Sequence, residues 1–305
     1  MNEPADSNRG PNRTERRQAV AAGIPIQTPL LSYLQVLDGP SAGELVVFPD
    51  QGEIVLGRSP DCQLRLEDPA VSWEHARITL RPTARVCDLG STNGTSLRGQ
   101  VCEPELPLCS GDILWVANAI HVRYGVQSER EIELAQKLYQ GATRDFLTGL
   151  LNRATFFRHL EQEFALWERH GGEFGLLVLD ADYFKQVNDS HGHGAGDQLL
   201  KELANTLREQ CRLEDVVARY GGEEFVVLLR STQLEGCENF AERMRASVES
   251  RTFMPESLQL RATVSIGGTL PLPGDTVGKL IDRADQALYL AKSRGRNRCE
   301  FLVEG

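Results

Sequence analysis

Residues 219–225 read Arg-Tyr-Gly-Gly-Glu-Glu-Phe, and the glycine pair separates two apolar runs. Upstream stand Val216-Val217-Ala218, and downstream stand Phe225-Val226-Val227-Leu228-Leu229. Two strand-like segments joined at Gly221-Gly222 predict a tight hairpin, with glycine supplying a positive φ that other residues avoid. Such a turn presents two adjacent carboxylates, Glu223 and Glu224, on a rigid support, which suits a divalent-metal site better than a core. A second segment, Leu176-Leu177-Val178-Leu179, predicts a buried strand and ends at Asp180. An acid at a strand end beside a hairpin turn is an arrangement common in metal–phosphate sites. Asp197 is predicted as the N-cap of an amphipathic helix with Leu199, Leu200, Leu203 and Leu207 on one face.

A length of 305 residues accommodates two domains of ordinary size. The net charge of −10 gives no reason to expect nucleic acid as a partner. No apolar stretch approaches the ~20 residues that span a bilayer, and the N-terminal segment lacks a signal-peptide hydrophobic region. A cytoplasmic protein without a membrane partner is therefore expected. The seven cysteines show no Cys-x-x-Cys spacing and are expected to be reduced thiols. His191 and His193 flank a glycine. With no Cys or third His nearby, they are read as part of a glycine-rich loop rather than as metal ligands.

Pattern changes divide the chain. Residues 1–29 hold almost no large apolar side chains before Ile24 and are expected to be a disordered tail. Residues 30–126 show closely spaced short strands, such as Tyr33–Leu37, Glu44–Phe48 and Ile113–Val116, which predict a β-sandwich. Residues 127–144 are charged, with Ile132, Ala135, Leu138 and Tyr139 near helical spacing, and predict a helical connector. Residues 145–305 form the second domain.

The second domain resembles the GGDEF family of diguanylate cyclases. Five motifs carry the resemblance, in family order: Asp145-Phe146-Leu147-Thr148-Gly149-Leu150-Leu151-Asn152-Arg153; Asp180-Ala181-Asp182-Tyr183-Phe184-Lys185; Asn188 with Asp197; the Gly-Gly-Glu-Glu-Phe turn; and Ala284-Asp285-Gln286-Ala287-Leu288-Tyr289, followed by Ala291-Lys292 and Gly295-Arg296-Asn297-Arg298. Ala181 departs from the larger aliphatic usual in the family, and Tyr183 from the usual His. The resemblance implies an α+β, nucleotidyl-cyclase-like domain with a central, mostly antiparallel sheet. It also implies an enzyme that joins two GTP into cyclic di-GMP and releases two pyrophosphates across a homodimer.

The resemblance assigns Asp180, the Ala181 carbonyl and Glu223 to Mg²⁺ (or Mn²⁺), with Glu223 also the expected general base and Glu224 supporting the metal or the nucleotide. Lys185 would offset phosphate charge. Lys292 and Arg296 would contact the triphosphate, on one side of the last helix if that helix reaches so far. Taken alone, the pair reads equally as a solvated basic helix end. Asn188 and Asp197 match the guanine-reading positions, and a carboxylate accepting from guanine N1–H and its amine rejects adenine. Arg212-Leu213-Glu214-Asp215 matches the family's Arg-x-x-Asp site for inhibitory product, with Arg243 as a further partner. Out of this context an Arg-x-x-Asp is an ordinary surface ion pair.

The first domain resembles the forkhead-associated (FHA) family of phosphothreonine readers. Its markers are Gly57-Arg58-Ser59, Ser72-Trp73-Glu74-His75-Ala76 and Asp88-Leu89-Gly90-Ser91-Thr92-Asn93-Gly94-Thr95. The resemblance implies an all-β sandwich in which Arg58 and Ser72 hold the phosphate. Thr92 and Asn93 would order the loop and the peptide, and His75 would brace its loop. A phosphothreonine protein, or this chain's own tail phosphorylated at Thr14 or Thr28, is the expected partner. The whole reads as a bacterial-type signalling enzyme. The alternatives are a catalytically silent GGDEF receptor for cyclic di-GMP and an FHA scaffold.

Overall fold

The computed structural model describes residues 30–39, 41–48, 52–80, 83–212, 214–254 and 259–303. The tail expected over residues 1–29, with Thr14 and Thr28, lies outside the described residues, as does Leu213. The chain divides into two compact units between Gln136 and Lys137.

The first unit contains eleven described strands: β1 (Leu30–Val36), β2 (Leu45–Phe48), β3 (Glu53–Gly57), β4 (Leu64–Arg65), β5 (Ala76–Thr79), β6 (Arg85–Asp88), β7 (Thr95–Leu97), β8 (Gln100–Val101), β9 (Leu106–Pro107), β10 (Ile113–Val116) and β11 (Ile120–Ser128). They form one sheet in the order β2-β1-β11-β10-β7-β8 and another in the order β4-β3-β5-β6-β9. Along β10 the pleat alternates Ile113 and Trp115 outward with Leu114 and Val116 inward. The inward rows of both sheets meet in a core that includes Leu34, Leu56, Ile78, Val86, Leu114 and Val122. This is the expected β-sandwich.

Helix α1 (Glu129–Thr143) spans the boundary between the units. Its start is a capping box: the Ser128 backbone N–H and hydroxyl donate to Glu131, and the Glu131 N–H donates back to the Ser128 hydroxyl.

The second unit runs β12 (Leu151–Asn152), α2 (Arg153–His170), β13 (Phe174–Ala181), α3 (Phe184–His191), α4 (His193–Gln210), β14 (Val216–Gly221), β15 (Glu224–Arg230), α5 (Leu234–Ser250), β16 (Val264–Thr269), α6 (Val277–Ser293) and β17 (Cys299–Phe301). The sheet order is β12-β14-β15-β13-β16-β17. Pairing is antiparallel through the centre and parallel at both edges. Every residue of β13 is buried, which explains its unbroken apolar run. Its odd-numbered Leu177 and Leu179 pack with α4 and α5, and its even-numbered Leu176 and Val178 pack with α2 and α6. The strand therefore delivers Asp180 to the α2/α6 face.

Four expectations are corrected. The hairpin forms, but neither Gly221 nor Gly222 adopts a positive φ. A register shift between Arg219 and Gly221 bends the chain instead. Space explains Gly221, where a Cβ would lie 3.0 Å from Glu224 Oε2, but not Gly222, where one would meet nothing within 4 Å. Asp197 is not an N-cap. Helix α4 begins at His193, and its N-cap is Gly192 at φ 82°. The stretch read as a glycine-rich loop is thus a one-residue break between two helices. Finally, α6 ends at Ser293, and Arg296 and Asn297 lie beyond it at φ 63° and 46°, so Lys292 and Arg296 do not share a helical face.

Candidate functional site

In the second unit, Asp180 is the next-to-last residue of the buried strand β13 and stands opposite Glu224 of β15, so both side chains stand on one face of the sheet. The Ala181 N–H donates to the carbonyl of Glu223 at 3.2 Å, which fixes the turn residue against the strand end. Lys292 Nζ lies 2.8 Å from Asp180 Oδ2. Burial pushes the Asp180 carboxyl above the usual carboxylate range. The Lys292 ammonium opposes that shift, and the negative charges of Glu223 and Asp182 add to it. A buried carboxylate crowded by a second one has a standing demand for a cation, which Lys292 meets in this structure.

Among the described residues, no three His, Cys, Asp or Glu side chains converge closely enough to hold a metal alone. The predicted donor set is two carboxylates and a backbone carbonyl, of which the Asp180 and Glu223 carboxylates lie close enough to interact. That suits Mg²⁺, which keeps water and phosphate oxygens in most of its positions.

Two residues whose roles the sequence reading missed hold this corner together. Arg219 donates to Asp145 at 3.2 Å and to the carbonyl of Gly222 at 3.1 and 2.7 Å. It clamps the hairpin turn to the segment before β12. Burial opposes ionisation of Asp145, but hydrogen bonds from Thr148 and the Arg219 guanidinium outweigh it and hold the carboxyl below the usual range. Asp182 is buried and accepts from Thr263, Ser265 and the N–H of Asn297 at 2.7, 2.7 and 3.0 Å, tying β13 to the turn after α6. Both residues stand inside quoted motifs, but their partners lie 74 to 115 positions away, except for the nearby Gly222. No spacing rule links them.

Asn188 on α3 packs against α4 at Gly196. A Cβ there would lie 2.0 Å from Asn188 Oδ1, so Gly196 leaves room for the amide. That Oδ1 is buried without a hydrogen-bond partner, an unspent acceptor that calls for a donor. Asp197, the next residue along α4, is exposed, as is Lys185 in the first turn of α3.

Away from this corner, Arg212 and Asp215 precede β14. Asp215 Oδ2 accepts from the Arg212 N–H at 2.8 Å, while Oδ1 is buried and unpartnered. Burial raises the Asp215 carboxyl. Arg243 on α5 bonds Gln210 at 2.8 Å and, with Asp215, acts on Cys211, so the three predicted residues share one region.

In the first unit, the predicted residues gather on loops between strands. Gly57 passes the next loop so closely that a Cβ would lie 2.3 Å from the Trp73 carbonyl. This approach lets the Arg58 and Ser59 N–H groups bond the carbonyls of Ser72 and Trp73 at 3.0 and 2.9 Å. The Ser72 hydroxyl accepts from the Thr92 N–H at 3.0 Å, and Asn93 Nδ2 donates to the Ala70 carbonyl at 2.7 Å. His75 is fully buried: Nδ1 accepts from the Ser72 N–H at 3.0 Å, and Nε2 lies 3.1 Å from the Gly94 carbonyl. His75 thus braces both loops. The Arg58, Thr92 and Asn93 side chains stand at the surface around Ser72.

Comparison with known proteins agrees with both folds. Residues 142–298 match the family model "Diguanylate cyclase, GGDEF domain", and residues 54–117 match that of the FHA domain. The chain belongs to the GGDEF family and carries an FHA domain ahead of the GGDEF domain. It is 48% identical over 162 residues to diguanylate cyclase DgcP of Pseudomonas aeruginosa, covering 53% of this chain and 24% of that protein. It is 41% identical over 171 residues to diguanylate cyclase DgcM of Escherichia coli, covering 54% and 40%. The chain thus spans less than half the length of either curated relative. Among solved structures, it is similar to the coiled coil and GGDEF domain of DgcB from Caulobacter crescentus in complex with c-di-GMP. That match has a TM-score of 0.54 and 34% identity, over 57% of this chain and 93% of that one. Diguanylate cyclase SiaD of Pseudomonas aeruginosa, solved with its activator SiaC, matches with a TM-score of 0.52 and 40% identity, over 57% and 66%.

Proposed function

We propose that this protein condenses two GTP into cyclic di-GMP and two pyrophosphates, and that its FHA domain and its product regulate the reaction. The observation that carries the reading is the buried Asp180 carboxylate beside Glu223, with the Lys292 ammonium at 2.8 Å. Asp180, Glu223 and the Ala181 carbonyl would hold Mg²⁺ or Mn²⁺, which when bound neutralises charge on the triphosphate. Asn188 Oδ1 accepts a donor from the guanine edge, and Asp197 accepts from its N1–H and amine. Lys292 and Arg296 hold the triphosphate, and Lys185 offsets charge that develops on it. Glu223 takes the proton as the 3′-oxygen of one nucleotide bonds the α-phosphorus of the other and the bond to pyrophosphate breaks. Each domain supplies half of the reacting pair, so two copies must face each other. The exposed Leu134 and Leu138, four residues apart on α1, offer an apolar strip for that pairing. Incubation with Mg²⁺ should yield cyclic di-GMP from GTP and no cyclic product from ATP.

Two further results are expected. Gly196→Ala drives a methyl into Asn188 Oδ1 while improving helix propensity. It should weaken GTP binding about tenfold by calorimetry, and because the methyl also lies 3.0 Å from the Phe184 ring, a modest loss of thermal stability without unfolding should accompany it. Unchanged affinity would remove Asn188 from guanine reading. Cyclic di-GMP should inhibit non-competitively through Arg212, Asp215 and Arg243, since the buried, unpartnered Asp215 Oδ1 is an acceptor for a guanine donor. Arg212→Ala should weaken cyclic di-GMP binding about tenfold or more and relieve inhibition. Wild-type product affinity in that variant would refute the assignment.

A further inference from the structure

We infer that Tyr183 is a positioning residue for the triphosphate, acting through Arg296. The inference rests on the nucleotide-binding reading above and extends it to a residue that departs from the family's usual His.

The Arg296 guanidinium lies over the Tyr183 ring, 4.7 Å from its centroid. A cation on an aromatic face is attracted by the ring quadrupole and held flat, with its N–H edge turned away from the ring. Among the described residues, the Tyr183 ring is the one side chain in contact with that guanidinium, so its donors are unspent. Lys292, four positions earlier, is engaged by Asp180, as Arg296 is by the ring.

Backbone geometry shows that the stack is built in. Tyr183, Arg296 and Asn297 all sit at positive φ, 58°, 63° and 46°, where non-glycine residues are uncommon. Such conformations persist only where the surroundings over-determine them. Asp182, immediately before Tyr183, accepts from the N–H of Asn297, immediately after Arg296. The Asn297 side chain is held in turn by Arg245 at 2.9 Å and Glu249 at 2.7 Å. The two left-handed segments are therefore clasped backbone to carboxylate. Tyr183, half exposed at the entry to α3, and Arg296 are the side chains that project from that clasp toward each other. Tyr183 touches no reacting group itself. It fixes the guanidinium in advance, so that less side-chain entropy is lost when phosphate binds.

Asparagine tolerates the left-handed backbone and lacks a ring, so Tyr183→Asn removes the stack while preserving the turn. The probes are the Mg²⁺ complex of the unreactive α,β-methylene analogue of GTP, and GMP, each measured by calorimetry on the full chain. Tyr183→Asn should bind the triphosphate analogue about 3- to 10-fold more weakly than wild type and bind GMP unchanged. The KM for GTP should rise by the same factor while kcat holds, and Tyr183→Phe should restore both. Tyr183→Asn should cost nothing further in the Arg296→Ala background, so that the double variant matches Arg296→Ala alone. Wild-type affinity of Tyr183→Asn for the triphosphate analogue, additive losses in the double variant, or an equal loss for GMP would each overturn the inference and leave the nucleotide reading standing. Wild-type protein that binds neither probe would overturn both.

Discussion

Replacing Asp180 or Glu223 by alanine is expected to abolish cyclic di-GMP formation, with losses of about a thousandfold or more in each case. The estimate follows from the several kcal/mol that a bound cation contributes to a phosphoryl-transfer transition state, at about 1.4 kcal/mol per factor of ten. Neither variant should unfold the domain. Glu223 sits in a half-buried turn, outside the core, where truncation ordinarily shifts stability by about 0.5 kcal/mol or less. Asp180 is a carboxylate that burial disfavours, so removing it also removes a desolvation cost, although it leaves Lys292 without its partner. Thermal denaturation and product chromatography on the same samples separate the two effects. Wild-type activity in either variant would eliminate the proposed metal site.

Arg58→Ala is expected to lower phosphothreonine-peptide affinity by roughly 10- to 150-fold, the worth of a charge-assisted hydrogen bond of about 1.5–3 kcal/mol. The side chain is exposed, while its backbone is held by Ser72 on the neighbouring loop, so the guanidinium is lost without disturbing the sandwich. Fluorescence anisotropy with matched phosphorylated and unphosphorylated peptides reads the effect, and the unphosphorylated peptide should bind neither protein. Under the proposed function, a reader domain cannot catalyse the condensation, so its lever would be the pairing of two copies. A peptide shifts that equilibrium only by its differential affinity for the paired and unpaired states. Peptide should therefore change oligomeric state and specific activity together, and Arg58→Ala should remove both changes. A peptide screen with no phosphate-dependent binder would leave the FHA domain as a docking platform alone.

Much of the architecture was legible in the sequence because the relevant signals are local. Period-two alternation along β10, the unbroken apolar run of β13 and the leucine face of α4 each state which surfaces are buried. The errors concern backbone decisions that side-chain patterns encode poorly. Asp197 follows the form of an N-cap, yet Gly192 at φ 82° starts the helix a turn earlier, and a backbone break needs no capping side chain. The end of α6 was signalled by Gly295, which favours a helix stop in Lys-Ser-Arg-Gly-Arg-Asn. The basic i, i+4 pattern of Lys292 and Arg296 pointed the other way. The Gly-Gly turn was located correctly for the wrong reason, since a register shift does the bending. Of the candidate site, the strand end at Asp180 and the place of the Gly-Gly-Glu-Glu turn were readable. The clamp of Arg219 on Asp145 and the clasp of Asp182 on Asn297 were not, because each joins distant segments that only the folded sheet brings together.

The most direct test of the account is to incubate the purified full chain with GTP and Mg²⁺ over a range of protein concentrations and to separate and quantify the nucleotides and pyrophosphate. The account predicts cyclic di-GMP with two pyrophosphates released per product, no cyclic product from ATP, and specific activity that rises with protein concentration as copies pair. Unchanged GTP at every concentration, in a protein that nevertheless binds cyclic di-GMP, would contradict it and leave a receptor in place of an enzyme.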